Sequence, residues 1–76
     1  MTEYPYFSIN LVEGGLLKKL FKNKHYKTAT DANNALIKWL KNHPTYNNQI
    51  VILEYTTYYT SRIYAVIENE ITTWIK

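Results

Sequence analysis

Apolar and polar residues follow two different periods along the chain, and these periods predict its secondary structure. From Tyr4 to Val12, apolar residues occupy every second position, which predicts a half-buried strand. Between residues 29 and 40 they return every third or fourth position, which predicts an amphipathic helix. From residue 49 to residue 76 the period of two returns in a run rich in Val, Ile, Thr and Tyr. These residue types favour extended backbone.

The segment after the first strand is ambiguous. Gly14 and Gly15 accept positive φ angles and predict a tight hairpin turn. Such a turn would return residues 16–24 alongside the first strand, so we predict a second strand there. A short helix is the alternative, because four apolar side chains also fit one helical face: Leu16, Leu17, Leu20 and Phe21.

The predicted helix has signals at both ends. Thr28 and Asp31 have capping-box spacing, in which side chains satisfy the first free backbone N–H groups. Pro44 excludes the helical conformation from the residue before it, so the helix should end near Asn42. The residues predicted to face the sheet are Ala29, Ala32, Ala35, Leu36, Trp39 and Leu40.

Polar residues at 58–61 and 68–70 divide the last part of the chain into three strands. Asn69 is suited to a positive φ in the second turn. The first of these strands is apolar on both sides near its start, which predicts a central position in the sheet. In the second strand, strict alternation sets Ile63, Ala65 and Ile67 against Arg62, Tyr64 and Val66.

These elements predict one α+β domain over residues 1–76, an antiparallel sheet in the order ββαβββ with one helix packed on one face. The chain has no cysteine for a disulfide or a thiolate metal site. No apolar run approaches the roughly 18 residues that span a bilayer. The start, Met-Thr-Glu-Tyr-Pro, lacks the basic and then apolar order of a signal peptide. We therefore expect a cytoplasmic protein that makes no membrane contact.

One helix cannot cover all the aromatic residues of such a sheet. Tyr offers a large contact area at low entropic cost, and large exposed apolar patches mark contact sites. We therefore predict a partner-binding surface made of Tyr55, Tyr58, Tyr59, Arg62, Tyr64 and Trp74. A protein is the favoured partner, and a homodimer through the same strands is an alternative.

The positive charge is concentrated in one short segment. The net charge is +3, and the excess lies in Lys18, Lys19, Lys22, Lys24 and Lys27. These lysines predict contacts to phosphate or to an acidic surface, because each neutralised phosphate releases counterions. An equally weighted interpretation is a solvated edge whose lysines discourage pairing with other sheets. Nucleic-acid binding is therefore the alternative function.

Residues suited to catalysis are scarce. Of the two histidines, His25 lies among lysines and His43 at the predicted helix end, while Glu68 and Glu70 are typical of a turn. The sequence has no Ser-His-Asp set, phosphate-binding glycine loop or His pair with metal-ligand spacing. We predict no catalytic residue, no metal site, no cofactor and no small-molecule substrate.

Residues 26–32, Tyr-Lys-Thr-Ala-Thr-Asp-Ala, resemble the strand-to-helix junction of the arm-type DNA-binding domains of phage integrases. In that family an aromatic-x-Thr-x-x-acid-Ala step opens the helix. The resemblance is confined to this junction, and the three strands predicted after the helix depart from the family. Its function is therefore not carried over.

The sequence as a whole predicts a small non-enzymatic binding protein. Abundant Asn, Lys, Ile and Tyr indicate an AT-rich genome. A short chain of this kind is typical of a phage or mobile-element accessory protein. We expect it to dock on a host protein or protein–nucleic-acid complex, which it inhibits or regulates.

Overall fold

A computed structural model describes residues 3–21, 24–69 and 71–75. In this part of the chain it has five strands and one helix. In chain order they are β1 (Tyr6–Glu13), β2 (Leu16–Lys19), α1 (Ala29–Lys41), β3 (Ile50–Tyr55), β4 (Ser61–Glu68) and β5 (Ile71–Trp74). The predicted α+β fold and its ββαβββ order are confirmed. The segment after the Gly-Gly turn is a strand, although it ends at Lys19, well before residue 24.

The strands form one antiparallel sheet in the spatial order β2-β1-β3-β4-β5. β3 is central, as its apolar character on both sides predicts. It pairs with β1 from the far end of the chain, so that Tyr6 lies opposite Tyr55 and Leu11 opposite Ile50. The short strands β2 and β5 form the two edges.

The turns follow the residues that accept positive φ. Gly14 and Gly15, between β1 and β2, have φ angles of 59° and 79°, as a two-residue hairpin turn of type I′ requires. Asn69, between β4 and β5, has a φ of 53°. The loop between β3 and β4 covers residues 56–60, so it begins earlier than the predicted turn at 58–61.

Helix α1 begins at the predicted cap. The Thr28 hydroxyl accepts a hydrogen bond from the backbone N–H of Asp31 at 3.1 Å, which satisfies one of the helix's free N–H groups. The helix packs mainly on β1 and β3. Its side chains Ala32 and Leu36 are fully buried against the sheet. It therefore covers the middle of one sheet face and leaves the β5 side of that face less covered.

The two faces of the sheet differ in what covers them. The helix face carries the core, made of Phe7, Ile9, Leu11, Ala32, Leu36, Ile50, Ile52, Ala65 and Ile67. No helix of the described chain packs on the other face, which we call the open face. Side chains alternate along a strand and paired residues share a face. The open face therefore contains Tyr6, Ser8, Asn10, Val12, Leu17, Lys19, Val51, Leu53, Tyr55, Ser61, Ile63, Val66, Glu68, Ile71 and Thr73.

A β-bulge in β4 changes which face of the sheet some of its side chains occupy. Opposite β3 the register shifts between Ile52 and Leu53, so that Ile52 pairs with Ala65 but Leu53 pairs with Ile63. Tyr64 is the extra residue, and an extra residue in one strand reverses the faces of those beyond it. The prediction that Ile63 shares a face with Ala65 is therefore wrong: Ile63 lies on the open face.

Candidate binding surface

Aromatic rings from separate parts of the chain meet at one end of the open face. The ring of Tyr6 stacks with those of both His25 and Tyr55, at centroid distances of 3.9 Å and 4.9 Å and interplanar angles of 23° and 7°. Tyr4 adds a tilted ring 5.5 Å from Tyr6. We call this group the aromatic end, together with Tyr58 and Tyr59 from the loop between β3 and β4: Tyr4, Tyr6, His25, Tyr55, Tyr58 and Tyr59.

Lys19 adds a positive charge to the stacked rings. Its ammonium nitrogen lies 5.5 Å from the ring centroid of Tyr6 and 5.5 Å from that of Tyr55. A cation over an aromatic ring contributes about 0.5–1 kcal/mol at an exposed site. The side chain of Lys19 is thus held over the two stacked rings.

The loop at residues 56–60 presents two tyrosines to solvent. The backbone N–H of Thr56 donates to the carbonyl of Thr60 at 3.0 Å, and the N–H of Thr60 donates to the Thr57 hydroxyl at 3.1 Å. These bonds close a loop whose tip carries Tyr58 and Tyr59, which are 74% and 92% exposed. Rings so exposed in the free chain lose much contact with water when a partner covers them.

The side chains at the centre of the open face are almost fully buried. Ser8 and Asn10 are only 0% and 4% exposed, and the Asn10 amide donates to the Ser8 hydroxyl at 3.0 Å. Val51 and Leu53 are buried beside them but lie outside the core cluster under the helix. Exposed aliphatic side chains surround this centre, among them those of Leu17, Ile63 and Ile71.

Three of the residues predicted to bind a partner lie away from the aromatic end. Tyr64 packs edge-on against Phe7 in the core, at a centroid distance of 5.0 Å. Trp74 lies 6.1 Å from Tyr64 on the helix face. Arg62, on the same face, donates from Nε to a Glu54 carboxylate oxygen at 2.6 Å. Of the predicted set, the aromatic end therefore contains Tyr55, Tyr58 and Tyr59, whereas Tyr64 and Trp74 meet on the helix face.

The described lysines of the predicted cluster do not all lie on one face of the sheet. Lys18 pairs with Leu11 and lies on the helix face, whereas Lys19 pairs with Asn10 and lies on the open face. Lys24 and Lys27 are exposed in the segment between β2 and α1. Lys22 lies outside the described residues.

Burial raises the pKa of three tyrosines, of which only Tyr6 belongs to the aromatic end. The pKa of Tyr6 is raised above its ordinary value of 10.0 by burial first, and then by the neighbouring phenols of Tyr55, Tyr4 and Tyr58. Burial also raises the pKa of Tyr26 and of Tyr46. These phenols stay neutral at physiological pH, so they offer hydrogen bonds without charge.

Both histidine rings are already engaged within the fold. His25 is stacked on Tyr6. The Nδ1 of His43 is 2.9 Å from the Trp39 carbonyl oxygen, and its ring stacks on Trp39 at 4.0 Å. A shallow depression of about 310 Å³ adjoins His43, Tyr46 and Ile67. Within the described residues, no group of three or more His, Asp or Glu side chains is arranged to hold a metal ion.

The partner-binding set predicted from the sequence lacks three members of the aromatic end, namely Tyr4, Tyr6 and His25. Tyr6 meets Tyr55 because β1 pairs with β3. His25 reaches Tyr6 because the chain after β2 returns to β1, where Tyr26 pairs with Phe7. The one sequence signal for Tyr6 is its position in the alternation of β1, which places its side chain on the opposite side of the strand from Phe7 and Ile9.

The fold and this surface define the class of protein as a small α+β domain with an aromatic, partly apolar open sheet face. No family model, curated protein or solved structure matches the chain. In the described part of the chain, no helix has the length and apolar character required to cross a membrane.

Proposed function

We propose that this protein acts by binding a macromolecular partner, most favourably a protein, through the aromatic end and the adjoining open face. The observation that carries the proposal is the exposure of Tyr58 and Tyr59, 74% and 92%, on a hydrogen-bonded loop beside the stacked Tyr6 and Tyr55. Rigid aromatic rings supply large contact area at low entropic cost, and they are enriched among residues that dominate binding energy.

The composition of the open face favours a protein partner. Its exposed aliphatic side chains include Leu17, Ile63 and Ile71, and its charged residues in the described strands are Lys19 and Glu68. Interface centres are depleted of charge and enriched in aromatic residues. A nucleic acid would instead favour a densely basic surface.

The proposed biological role is that of a phage or mobile-element accessory protein that docks on a host protein and inhibits or regulates it. The support for this role is compositional, namely a short chain with abundant Asn, Lys, Ile and Tyr. The role requires only surface complementarity to the target, because binding alone can block the target's own contacts.

Site-specific photocrosslinking tests the proposal. A photoreactive phenylalanine at position 59, expressed in the native cells, should capture a defined partner, whereas the same group at the exposed helix position of Asn34 should not. The captured partner is then purified and titrated against the free protein. Tyr58→Ala/Tyr59→Ala should weaken binding at least tenfold, as expected for central aromatic contacts.

The matched control is Tyr58→Phe/Tyr59→Phe, which keeps the rings and should retain most of the affinity. Equal capture from positions 59 and 34, or unchanged affinity in the alanine variant, would remove the aromatic end as the binding surface.

Nucleic-acid binding is the second candidate, and the position of Lys19 over the rings of Tyr6 and Tyr55 favours it. Single strands are bound by aromatic stacking together with cations along the backbone. A titration with single- and double-stranded DNA at two salt concentrations tests it. Affinity that falls with salt and is lost in both Lys19→Gln and Tyr6→Ala would replace the protein partner with a nucleic acid.

A further inference from the structure

The β5 edge of the sheet has hydrogen-bonding groups that point away from the rest of the protein. The backbone N–H of Ile75 donates to the Tyr64 carbonyl at 2.9 Å, so Ile75 points its main chain toward β4. Main-chain direction alternates along an antiparallel strand. Thr73 therefore also points toward β4, whereas Thr72 and Trp74 point their N–H and C=O groups outward.

This edge lacks the protection that the opposite edge has. From Ile71 to Ile75 there is no charged residue, proline or glycine, and Ile71, Ile75 and Trp74 are 69%, 60% and 45% exposed. The β2 edge, in contrast, carries Lys18 and Lys19. Proteins commonly use edge lysines to prevent strand pairing, and an unprotected edge is a template for another strand.

Apolar side chains flank the β5 edge on both faces of the sheet. Ile71, Thr73 and Ile75 lie on the open face and Thr72 and Trp74 on the helix face, by their pairing with β4. The Thr72 hydroxyl donates to the Asn33 side-chain oxygen at 3.2 Å, which fixes this strand beside α1. An added strand would therefore find apolar contacts above and below it.

We infer that the partner of this edge is a second copy of the chain, with β5 paired antiparallel to its own copy about a two-fold axis at Thr73. In this register Thr72 and Trp74 of one copy lie opposite Trp74 and Thr72 of the other. These are the residues with outward-pointing main-chain groups, so each such pair exchanges two hydrogen bonds. On the open face Ile71 lies opposite Ile75, and Thr73 opposite its own copy.

The extent of the uncharged segment 71–75 selects this register over its neighbours. Centring on Thr73 pairs every residue of the segment with another residue of the same segment. Centring on Thr72 or on Trp74 would pair only three of its five residues with one another.

The resulting dimer is a continuous sheet with both helices on one side and both open faces on the other. Its two aromatic ends lie at opposite ends of the sheet, because the two-fold axis runs perpendicular to the strands. A strand-edge interface of this length is small, so we expect weak association with a dissociation constant between micromolar and about 1 mM. The inference does not depend on the proposed function.

Sedimentation equilibrium over a concentration series tests the dimer. The natural chain should show reversible dimers. Thr73→Lys and Thr73→Glu each place like charges opposite one another at the two-fold axis, so each should raise the dissociation constant at least tenfold. An equimolar mixture of the two variants should dimerise again, because the charges are then opposite. Misfolding of either variant could not produce this rescue.

Leu17→Lys on the far edge is the matched control and should leave dimerisation unchanged. Hydrogen exchange supplies a second measurement: the amides of Thr72 and Trp74 should be slower in the natural chain than in Thr73→Lys, whereas the amide of Thr73 should be protected in both. A natural chain that stays monomeric at about 1 mM, a mixture without rescue, or a dimer lost only in Leu17→Lys would overturn the inference.

Discussion

The rings of Tyr6 and Tyr55 lie parallel within 7°, with their centroids 4.9 Å apart, although the two residues are 49 positions apart in sequence. They are cross-strand partners at the end of the β1–β3 pairing. His25, Lys19 and Tyr4 all contact this pair or lie beside it. The aromatic end is therefore a consequence of strand register as much as of tyrosine content.

The stacked pair should be energetically coupled. Tyr6→Ala and Tyr55→Ala should each destabilise the domain, and the double variant should cost less than the two effects combined. The expected coupling is about 0.5–1.5 kcal/mol, typical of aromatic pairs. A double-mutant cycle by urea denaturation measures it. Strictly additive effects would show that the rings are neighbours without mutual stabilisation.

Stability should fall at alkaline pH. Burial raises the pKa of Tyr6, Tyr26 and Tyr46 above their ordinary value of 10.0. The folded chain then binds the phenolic protons more tightly than the unfolded chain. This stabilisation is complete below pH 10 and is lost as the pH rises through the folded-state pKa values. Urea midpoints between pH 8 and pH 11 measure it, and Tyr6→Phe should flatten the alkaline part of the curve. An unchanged curve in that variant would contradict the assignment to Tyr6.

The ion pair between Glu54 and Arg62 should contribute to stability mainly because it neutralises the buried Glu54 carboxylate. The Glu54 side chain is 12% exposed and that of Arg62 48%. Arg62→Ala leaves a mostly buried carboxylate without its partner, which should cost about 1–2 kcal/mol in the free energy of unfolding. The loss of stability caused by Arg62→Ala should be smaller in a Glu54→Gln background, because no unpaired buried charge then remains. Equal costs of Arg62→Ala in the two backgrounds would assign the effect to lost packing of the arginine stem.

The hydrogen bond between Asn10 and Ser8 gives a paired test on the open face. Asn10→Val removes the donor and leaves the Ser8 hydroxyl buried and unpaired, which should cost about 1–2 kcal/mol. Ser8→Ala in addition removes the stranded hydroxyl and should recover much of that loss. Thermal and urea denaturation of the single and double variants measure it. A double variant less stable than Asn10→Val alone would mean that Ser8 has another stabilising role.

The sequence determined the local elements of this protein. Four local features depend on neighbours within a few positions: the alternation in β1, the apolar run of β3, the cap at Thr28 and the turn residues Gly14, Gly15 and Asn69. Periodicity and capping report such short-range preferences directly. The antiparallel α+β class follows as well, since one helix and several amphipathic strands have few ways to bury their apolar sides.

The tertiary structure alone decided which side chains share a surface. The bulge at Tyr64 moved Ile63 to the open face, and the turn between Tyr55 and Ser61 separated Tyr58 and Tyr59 from Trp74. The pairing of β1 with β3 brought Tyr6 to Tyr55. Register between distant strands is set by the combined packing of the whole core, and a shift of one residue exchanges the two faces of a strand. No local pattern contains that information.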